Sequence, residues 1–440
     1  MITPLEEWIA AKIGMTLTGL NRAEIESHQL EKLRQTVRWA REKSLFYGKH
    51  LGDLTEKDLT CLEDLVRFPF TTPAHIQENP LRFLCVSQGE VSRVVTLETS
   101  GTTGNPKRIW FTASDQEATV DFFHHGMSTL AGPGDRVLIL LPGERSGSVG
   151  DLLMKALSRL GATGMPHGFV LNPLDTLQVM RRERPDVLVG APVQVLSLAR
   201  NSEGDCAPRS VLLSTDHVPK SLAKGLERIW GCEVFTHYGM TEMGFGGGLE
   251  CRAHSGYHLR EVDLYVEVVD PKTCEPLPDG IAGEVVFTTL VRRGMPLIRY
   301  RTGDLSRFLS EPCPCGTVLR TLEGVTTRID SRIALFDGAI LTMADMDEAL
   351  FEIDDLLDFC ATLSREGDRQ RLDVELFMRE GAASLAAGLA ESKLRGIPSI
   401  HSAETAEEFA LAVSVGSAQS MVRQGNAKRR IRNMKGEGVQ

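Results

Sequence analysis

The run Glu98-Thr99-Ser100-Gly101-Thr102-Thr103-Gly104-Asn105-Pro106-Lys107 constrains this chain more than any other stretch. An extended, β-branched segment, Val91 to Leu97, leads into it, and a second, Arg108 to Thr112, leads away. It therefore reads as a hairpin-like loop between two strands. Gly101 and Gly104 free the backbone to curl. The hydroxyls of Thr99, Ser100, Thr102 and Thr103 can then point, with the flanking N–H groups, at one anion, and Lys107 adds a point charge. A loop with this chemistry cradles polyphosphate. It is not a Walker-type loop, because no Gly-Lys-Ser/Thr opens a helix after it. The competing reading is a polar hairpin turn, which has no need of hydroxyl, glycine and lysine at such density.

Around this loop the chain alternates. Residues 21–51 read as a polar amphipathic helix with Leu30, Leu33, Val37 and Ala40 at helical spacing. Ser114 to Leu130 reads as a helix, with Ser114 as its N-cap. Strands are expected at Asp135 to Leu141, Pro185 to Val189, Ser210 to Ser214 and Glu233 to His237, separated by helices from Gly147, Pro192 and Lys220. That order implies a largely parallel sheet with helices on its faces. Ligands of such sheets sit beyond the carboxyl ends of the strands. Ser214-Thr215-Asp216 and His237-Tyr238-Gly239 lie at two of those ends. Glu261 to Val269 and Gly283 to Leu290 then suggest an antiparallel, β-rich module. Beyond residue 330 the pattern becomes a small α+β unit: a helix from Met343, paired strands around Arg365-Glu366-Gly367-Asp368, a helix from Ala382 to Leu394, and a strand from Glu408 to Val415. The fold class is α/β, with domains expected at 1–330 and 331–440.

Charge and apolar patterning exclude several classes. Forty-nine basic against 59 acidic side chains leave a net charge of −10, which argues against a nucleic-acid binder. No apolar run approaches a membrane span. Met1-Ile2-Thr3-Pro4-Leu5-Glu6-Glu7 lacks the basic-then-apolar order of a secretory signal, so a cytoplasmic location is expected. The cysteines are odd in number, nine, and scattered, which fits reduced thiols better than a disulfide framework.

Two more motifs follow the loop in order. Tyr238-Gly239-Met240-Thr241-Glu242 turns sharply at a strand end, where Thr241 can bond a phosphate and Glu242 can offer oxygen to Mg²⁺. Tyr300-Arg301-Thr302-Gly303-Asp304 presents a carboxylate that can accept from both ribose hydroxyls, with Gly303 expected to support a turn. Cys251-x₆-His258 and Cys313-Pro314-Cys315-Gly316 together hold three thiols and an imidazole, the donor set of a closed tetrahedral zinc site. The alternative is free thiols beside a surface histidine.

The order of these motifs resembles the adenylate-forming superfamily of acyl-CoA synthetases, adenylation domains and luciferases. The approach to the loop resembles its phenylacetate–CoA ligase branch: Leu33-Arg34-Gln35-Thr36-Val37-Arg38-Trp39-Ala40, Phe46-Tyr47 and Phe68-Pro69-Phe70-Thr71-Thr72. The resemblance covers roughly residues 28–335. It implies that Thr99 to Lys107 bind the phosphates of ATP, that Tyr238 lies against adenine, that Thr241 contacts the α-phosphate and that Glu242 holds magnesium. It places Asp304 on the ribose. It makes Arg328-Ile329-Asp330 the end of a large domain, with Arg328 on nucleotide and Asp330 a hinge for the small domain. Thr327 stands where the family has glycine. In the tail Gly425-Asn426-Ala427-Lys428-Arg429-Arg430, Asn426 stands where the family has its catalytic lysine, and Lys428 is the nearest substitute.

What the resemblance implies is an enzyme that activates an aryl or arylacetic acid with ATP through an acyl-adenylate and passes the acyl group to coenzyme A. Lys107, Thr241, Glu242 and Lys428 are the candidate catalytic residues. Ser214, Thr215, Asp216, His237 and Gly239 join the nucleotide-binding set, and Phe122, Phe123, His124 and His237 are candidates for the acyl side. Expected partners are the acid, ATP and CoA, with no nucleic acid and no membrane; a homodimer is compatible with the sequence. Two alternatives stand beside this reading: an adenylylating enzyme with another acceptor, and a nucleotide-binding homologue with impaired chemistry.

Overall fold

The computed structural model describes residues 2–97, 106–202, 204–366, 369–381, 385–405, 409–416 and 429–434. The chain packs as two compact units, each with its own core. One comprises Met1–Gly134, Gly143–Gly164 and Phe235–Val325; the other comprises Asp135–Pro142, Met165–Val234 and Thr326–Gln440. No helix among the described residues is long and apolar enough to cross a membrane.

In the first unit the expected hairpin forms. Val91–Leu97 pairs antiparallel with Lys107–Thr112, and Leu97 opposes Lys107, so the ladder closes directly beneath the Gly/Thr loop. Thr99, Ser100, Gly101, Thr102, Thr103 and Gly104 themselves lie outside the described residues. The helix that follows is Ala113–Met127. Its N-cap is Thr112 rather than Ser114. The Thr112 hydroxyl accepts from Asp115 N, and the Asp115 carboxylate accepts from Thr112 N, so a reciprocal box forms, with the Ser114 hydroxyl 2.9 Å from that of Thr112. Asp115 also accepts from the amides of Arg293 and Gly294, tying the helix start to a distant loop.

An N-terminal helix, Pro4–Ile13, escapes the sequence reading because apolar periodicity over so few residues is weak. Thr3 caps it, Pro4 occupies its first turn and Gly14 ends it. Glu6 on this helix is buried and accepts from Thr317 Oγ1 and, at 2.9 Å, from Val318 N, which pins the segment just beyond Cys315. The expected 21–51 helix is Arg22–Lys43, stopped at Ser44 and followed by the single turn Tyr47–His50. Leu264–Val269, Gly283–Thr289 and Tyr300–Ser306 form the antiparallel module, in that order.

In the second unit Arg136–Ile139, Val187–Gly190 and Ser210–Leu213 run parallel, as their apolar runs between helices require. Pro173–Glu183, unassigned in the sequence reading, is a further helix beside Pro192–Asn201 and Lys220–Trp230. The C-terminal part is a four-stranded sheet in the order Phe409–Gly416, Arg369–Met378, Leu356–Glu366, Arg432–Asn433. The helix expected from Ala382 to Leu394 starts at Ala386 and is one of two, Ala386–Arg395 and Pro398–Thr405. Pro398 disfavours helical geometry at the residue before it, which enforces the break. Leu196, Leu198 and Leu226 of the parallel half share one apolar core with Phe351, Phe359 and Leu376 of the C-terminal half.

Candidate active site

Three segments far apart in sequence bring polar side chains to one point in the first unit. Lys107 begins the second hairpin strand. Glu242 lies in the short turn Thr241–Met243 that follows the strand Glu233–Tyr238. Tyr300 begins the strand Tyr300–Ser306. The Lys107 ammonium is bonded to Glu242 Oε1 and stands 3.4 Å from the Tyr300 hydroxyl, which itself donates to Glu242 Oε1 at 3.1 Å. Glu242 is buried, and burial pushes its carboxyl up, but the charge and hydrogen bonds of Lys107 outweigh that and hold it below the usual range. Arg292 NH1 donates to the Glu242 carbonyl at 2.7 Å, with its guanidinium 4.8 Å from the centre of the Phe111 ring. Arg292 and Tyr300 have no assigned part in the sequence reading. Tyr300 opens the motif that carries Asp304, and that position is the signal that points to it.

The turn that delivers Glu242 depends on Gly239. A Cβ there would come within 2.4 Å of the Phe245 carbonyl oxygen, so only glycine admits this close approach. Immediately before it, the Tyr238 hydroxyl donates to Asp304 Oδ2 at 2.9 Å, while the Tyr238 ring stacks on Tyr257 with centroids 5.9 Å apart. Asp304 lies within a strand, where a turn was expected. The register passes from Val286–Arg301 to Glu284–Leu305, a bulge in which Gly303 takes φ +76°. Thr302 and Glu284 hold that bulge, accepting from Asp304 N at 3.0 Å and Gly303 N at 3.0 Å. A bulge re-aims a side chain as a turn would, without ending the strand.

His237 packs 6.3 Å from both the Phe122 and Phe123 ring centres, and burial, then the charge of Arg260, lowers it to about 4. It is therefore a neutral imidazole at ordinary pH. In the second unit, Ser214, Thr215 and Asp216 follow the strand Ser210–Leu213. Thr215 takes φ +82°, a left-handed conformation costly for a β-branched residue. Asp216 Oδ2 accepts from Arg429 N at 3.2 Å. Arg328 pairs with Asp330 at 3.2 Å near the surface. Lys428 and Asn426 lie outside the described residues.

Residues 91–290 match the AMP-binding enzyme family. A phenylacetate–coenzyme A ligase of Pseudomonas putida is 30% identical over 371 residues, covering 81% of this chain and 82% of that protein. This chain belongs to the phenylacetate–CoA ligase family. Its counterpart in Escherichia coli K12 is 28% identical over 382 residues, covering 82% of this chain and 84% of that one. A solved 2-hydroxyisobutyryl-CoA ligase, crystallised in a postadenylation state, shares the fold with a TM-score of 0.77 over 95% of this chain and 91% of that one, at 22% identity.

This member of the family also brings its four expected metal donors together. Cys251, His258, Cys313 and Cys315 are all buried, and their donor atoms lie within 4.8 Å of one another. Cys251 Sγ and Cys313 Sγ are 3.7 Å apart, and Cys315 Sγ and His258 Nε2 are 3.5 Å apart. A tetrahedron with Zn–S near 2.3 Å and Zn–N near 2.0 Å has edges of about 3.5–3.8 Å, so the spacing suits that ion. His258 Nδ1 faces the Thr321 hydroxyl at 3.5 Å, leaving Nε2 toward the sulfurs. Burial lowers His258 to about 4, which keeps it neutral, and pushes the Cys251 thiol up to about 12, so only a cation in their midst would ionise that thiol. The remaining cysteines join no such cluster among the described residues.

Proposed function

We propose that this chain is an ATP-dependent acid–CoA ligase acting on an aryl or arylacetic acid, phenylacetate-like in shape. In the first half-reaction a carboxylate oxygen attacks the α-phosphorus of ATP and pyrophosphate leaves. In the second, the CoA thiolate attacks the acyl carbon and AMP leaves. The observation that carries the reading is the convergence of Lys107, Glu242 and Tyr300 on one buried point beside the base of the Gly/Thr loop.

The roles assigned follow the chemistry of each group. Lys107 and Thr241, with Thr99 to Gly104, offset charge on the phosphates, where fixed donors supply most of the available stabilisation. Glu242 fits magnesium, which commonly takes one or two protein carboxylates and completes its shell with phosphate and water. Bound magnesium would neutralise phosphate charge. Tyr238, Gly239, Ser214, Thr215 and Asp216 serve the adenine side, Asp304 the ribose and Arg328 the nucleotide. His237 between Phe122 and Phe123 offers a neutral, aromatic-lined wall for the acyl group. Lys428 substitutes for the lysine absent at Asn426. Zinc on Cys251, His258, Cys313 and Cys315 is structural, since all four positions of a tetrahedral ion are taken by protein. Residues 1–330 and 331–440 are the large and small domains that move about Asp330. Cytoplasmic operation and a homodimeric assembly belong to the same proposal.

Pyrophosphate release with a panel of carboxylic acids, with and without CoA, tests the reading. Acid-dependent release accompanied by a CoA thioester is expected. Release without thioester favours another acceptor. ATP binding without turnover favours the impaired homologue, the alternative that Asn426 supports.

A further inference from the structure

In the first unit, three buried polar atoms meet where the helix Val149–Leu160 begins. Ser148 is the N-cap of that helix, yet its side chain caps nothing, and the residue is only 9% exposed. The Ser148 hydroxyl, Arg93 Nε and Gln116 Nε2 are all buried without a hydrogen-bond partner among the described residues. Gly147, at φ +72°, lets them come together: a Cβ there would collide with the Gln116 amide and stand 3.3 Å from Arg93 Cγ. Folded chains leave few buried polar groups unsatisfied, so a cluster of them at one point calls for a partner from outside the chain.

The neighbouring charges are already paired, except one. Asp151 accepts from Gly147 N at 2.7 Å and pairs with Lys155 at 2.8 Å. Glu117 binds Arg159 through both carboxylate oxygens. Arg93 forms no ion pair among the described residues. What remains is a set of donors: a guanidinium, an amide nitrogen, a hydroxyl, and the first amides of a helix whose dipole favours negative charge. The planar fork of an arginine matches a carboxylate or a phosphate, two oxygens at a time. The point is separate from Lys107, since Arg93 lies four residues before Leu97, the residue that opposes Lys107.

We infer that Arg93, Gln116, Ser148 and the start of Val149–Leu160 form an oxyanion subsite, which holds a carboxylate or phosphate that a substrate carries away from its reacting atoms. Gln116 stands seven residues before Phe123, on the same face of Ala113–Met127 and about 10 Å along it. Phe123 packs against His237 on the acyl side. That placement favours the acid as the bearer, with a second carboxylate remote from the one that is activated. A phosphate of CoA is the other source of the same chemistry. The inference rests on the ligase reading above and narrows its substrate to acids with two anionic ends.

Calorimetric binding to the full chain, without turnover, tests it on two matched pairs: para-carboxyphenylacetate against phenylacetate, and CoA against dephospho-CoA. The parent should bind the dicarboxylate about tenfold more tightly than phenylacetate, the scale of one charge-assisted contact. Arg93→Ala should abolish that preference, keep phenylacetate affinity within about twofold and leave Tm no lower, because it removes a cation that has no counter-ion. Arg93→Lys should keep part of the preference, and Ser148→Ala should reduce it. If Arg93→Ala instead abolishes a preference for CoA over its dephospho form, the subsite stands with the phosphate of CoA as its anion. Both preferences surviving in Arg93→Ala, or neither present in the parent, would overturn the inference. So would a lowered Tm with equal losses for every ligand, which would make Arg93 merely structural. Product assays keep the two readings apart. Thioester formed by a parent whose preferences ignore Arg93 overturns the subsite alone, and Arg93-dependent binding in a parent that forms no thioester overturns the ligase reading alone.

Discussion

Two buried ionic centres in this chain are built on opposite charge balances. At Lys107 one cation meets one carboxylate, Glu242, and a neutral phenol, Tyr300. At Arg429 one cation meets the carboxylates of Asp347, Asp358 and, through the backbone, Asp216. The first is balanced, and its lysine pulls the glutamate below the usual carboxylate range. The second carries excess acid, and burial raises Asp347 to about 7 and Asp358 above its ordinary value despite the guanidinium. A balanced pair leaves its point without excess charge, which suits the polyanion and cation proposed above. An acid-rich cage does the opposite: it holds an arginine in place, because removing that arginine would leave carboxylates buried without a counter-ion.

The largest expected effect lies at the balanced centre. Lys107→Ala and Glu242→Gln should each cut adenylate formation by about a hundredfold or more, the usual loss for one charge-stabilising contact, with far-UV circular dichroism unchanged. Turnover equal to the parent in both would dissolve the contrast by removing the chemistry from this point. Next is the hinge. Proline fixes φ, so Asp330→Pro should keep one half-reaction and lose the other. Parallel loss or retention of both would mean that no rotation about Asp330 separates them.

The Cys/His cluster provides an intermediate case, since its charge balance would depend on a bound ion. Protein purified without added metal should carry one zinc per chain by elemental analysis, and Cys313→Ser should lower both zinc content and Tm. Metal-free protein of unchanged Tm would leave those residues as plain core thiols.

A smaller effect belongs to the acid-rich cage. An unfolded aspartate titrates near 4, and burial raises Asp347 to about 7. Between these values the folded chain binds more protons than the unfolded one, so stability should fall as pH rises from about 4 to 7, then level off. Asp216, Asp358 and Arg429 face the same group, and Arg429 stays charged throughout. Asp347→Asn should flatten that slope in urea unfolding followed across the window. A slope unchanged in the variant would place the titration elsewhere. The smallest change is expected from Asn426→Lys, which should leave adenylate formation intact or raise it.

The two centres also differ in how far the sequence exposes them. Lys107, Glu242 and Asp304 each sit in a short glycine-bearing motif, because tight approach of backbone to ligand demands local, recognisable residues. The antiparallel pairing that brings Lys107 under the loop follows from two β-branched runs flanking it. Cys251, His258, Cys313 and Cys315 were legible for a similar reason: few other jobs require that donor set. Asp347, Asp358 and Arg429 carry no such signature. Asp347 looks like an ordinary acid in a helix, and Asp358 like a polar residue at the start of a strand. Only the return of the chain to the C-terminal sheet, where Arg432–Asn433 runs beside Thr362 and Leu363, brings a guanidinium 82 positions beyond Asp347 between them. The same holds for Glu348, which accepts from the first two amides of Lys220–Trp230, a helix that reads as complete in itself. The short helix Pro4–Ile13 was missed for a lesser reason, since its stability comes from burying Trp8 and Glu6 rather than from its own pattern.

This chain joins a carboxylic acid to CoA through an acyl-adenylate. Single-turnover mixing of the protein with ATP, magnesium and arylacetic acids tests it most directly, with products quenched and resolved before and after CoA is added. Acyl-adenylate and pyrophosphate should form in equal amounts before CoA, and the adenylate should convert to thioester and AMP after it. ATP consumed at the same rate without acid, or thioester formed with no adenylate ever accumulating or exchanging, would contradict it.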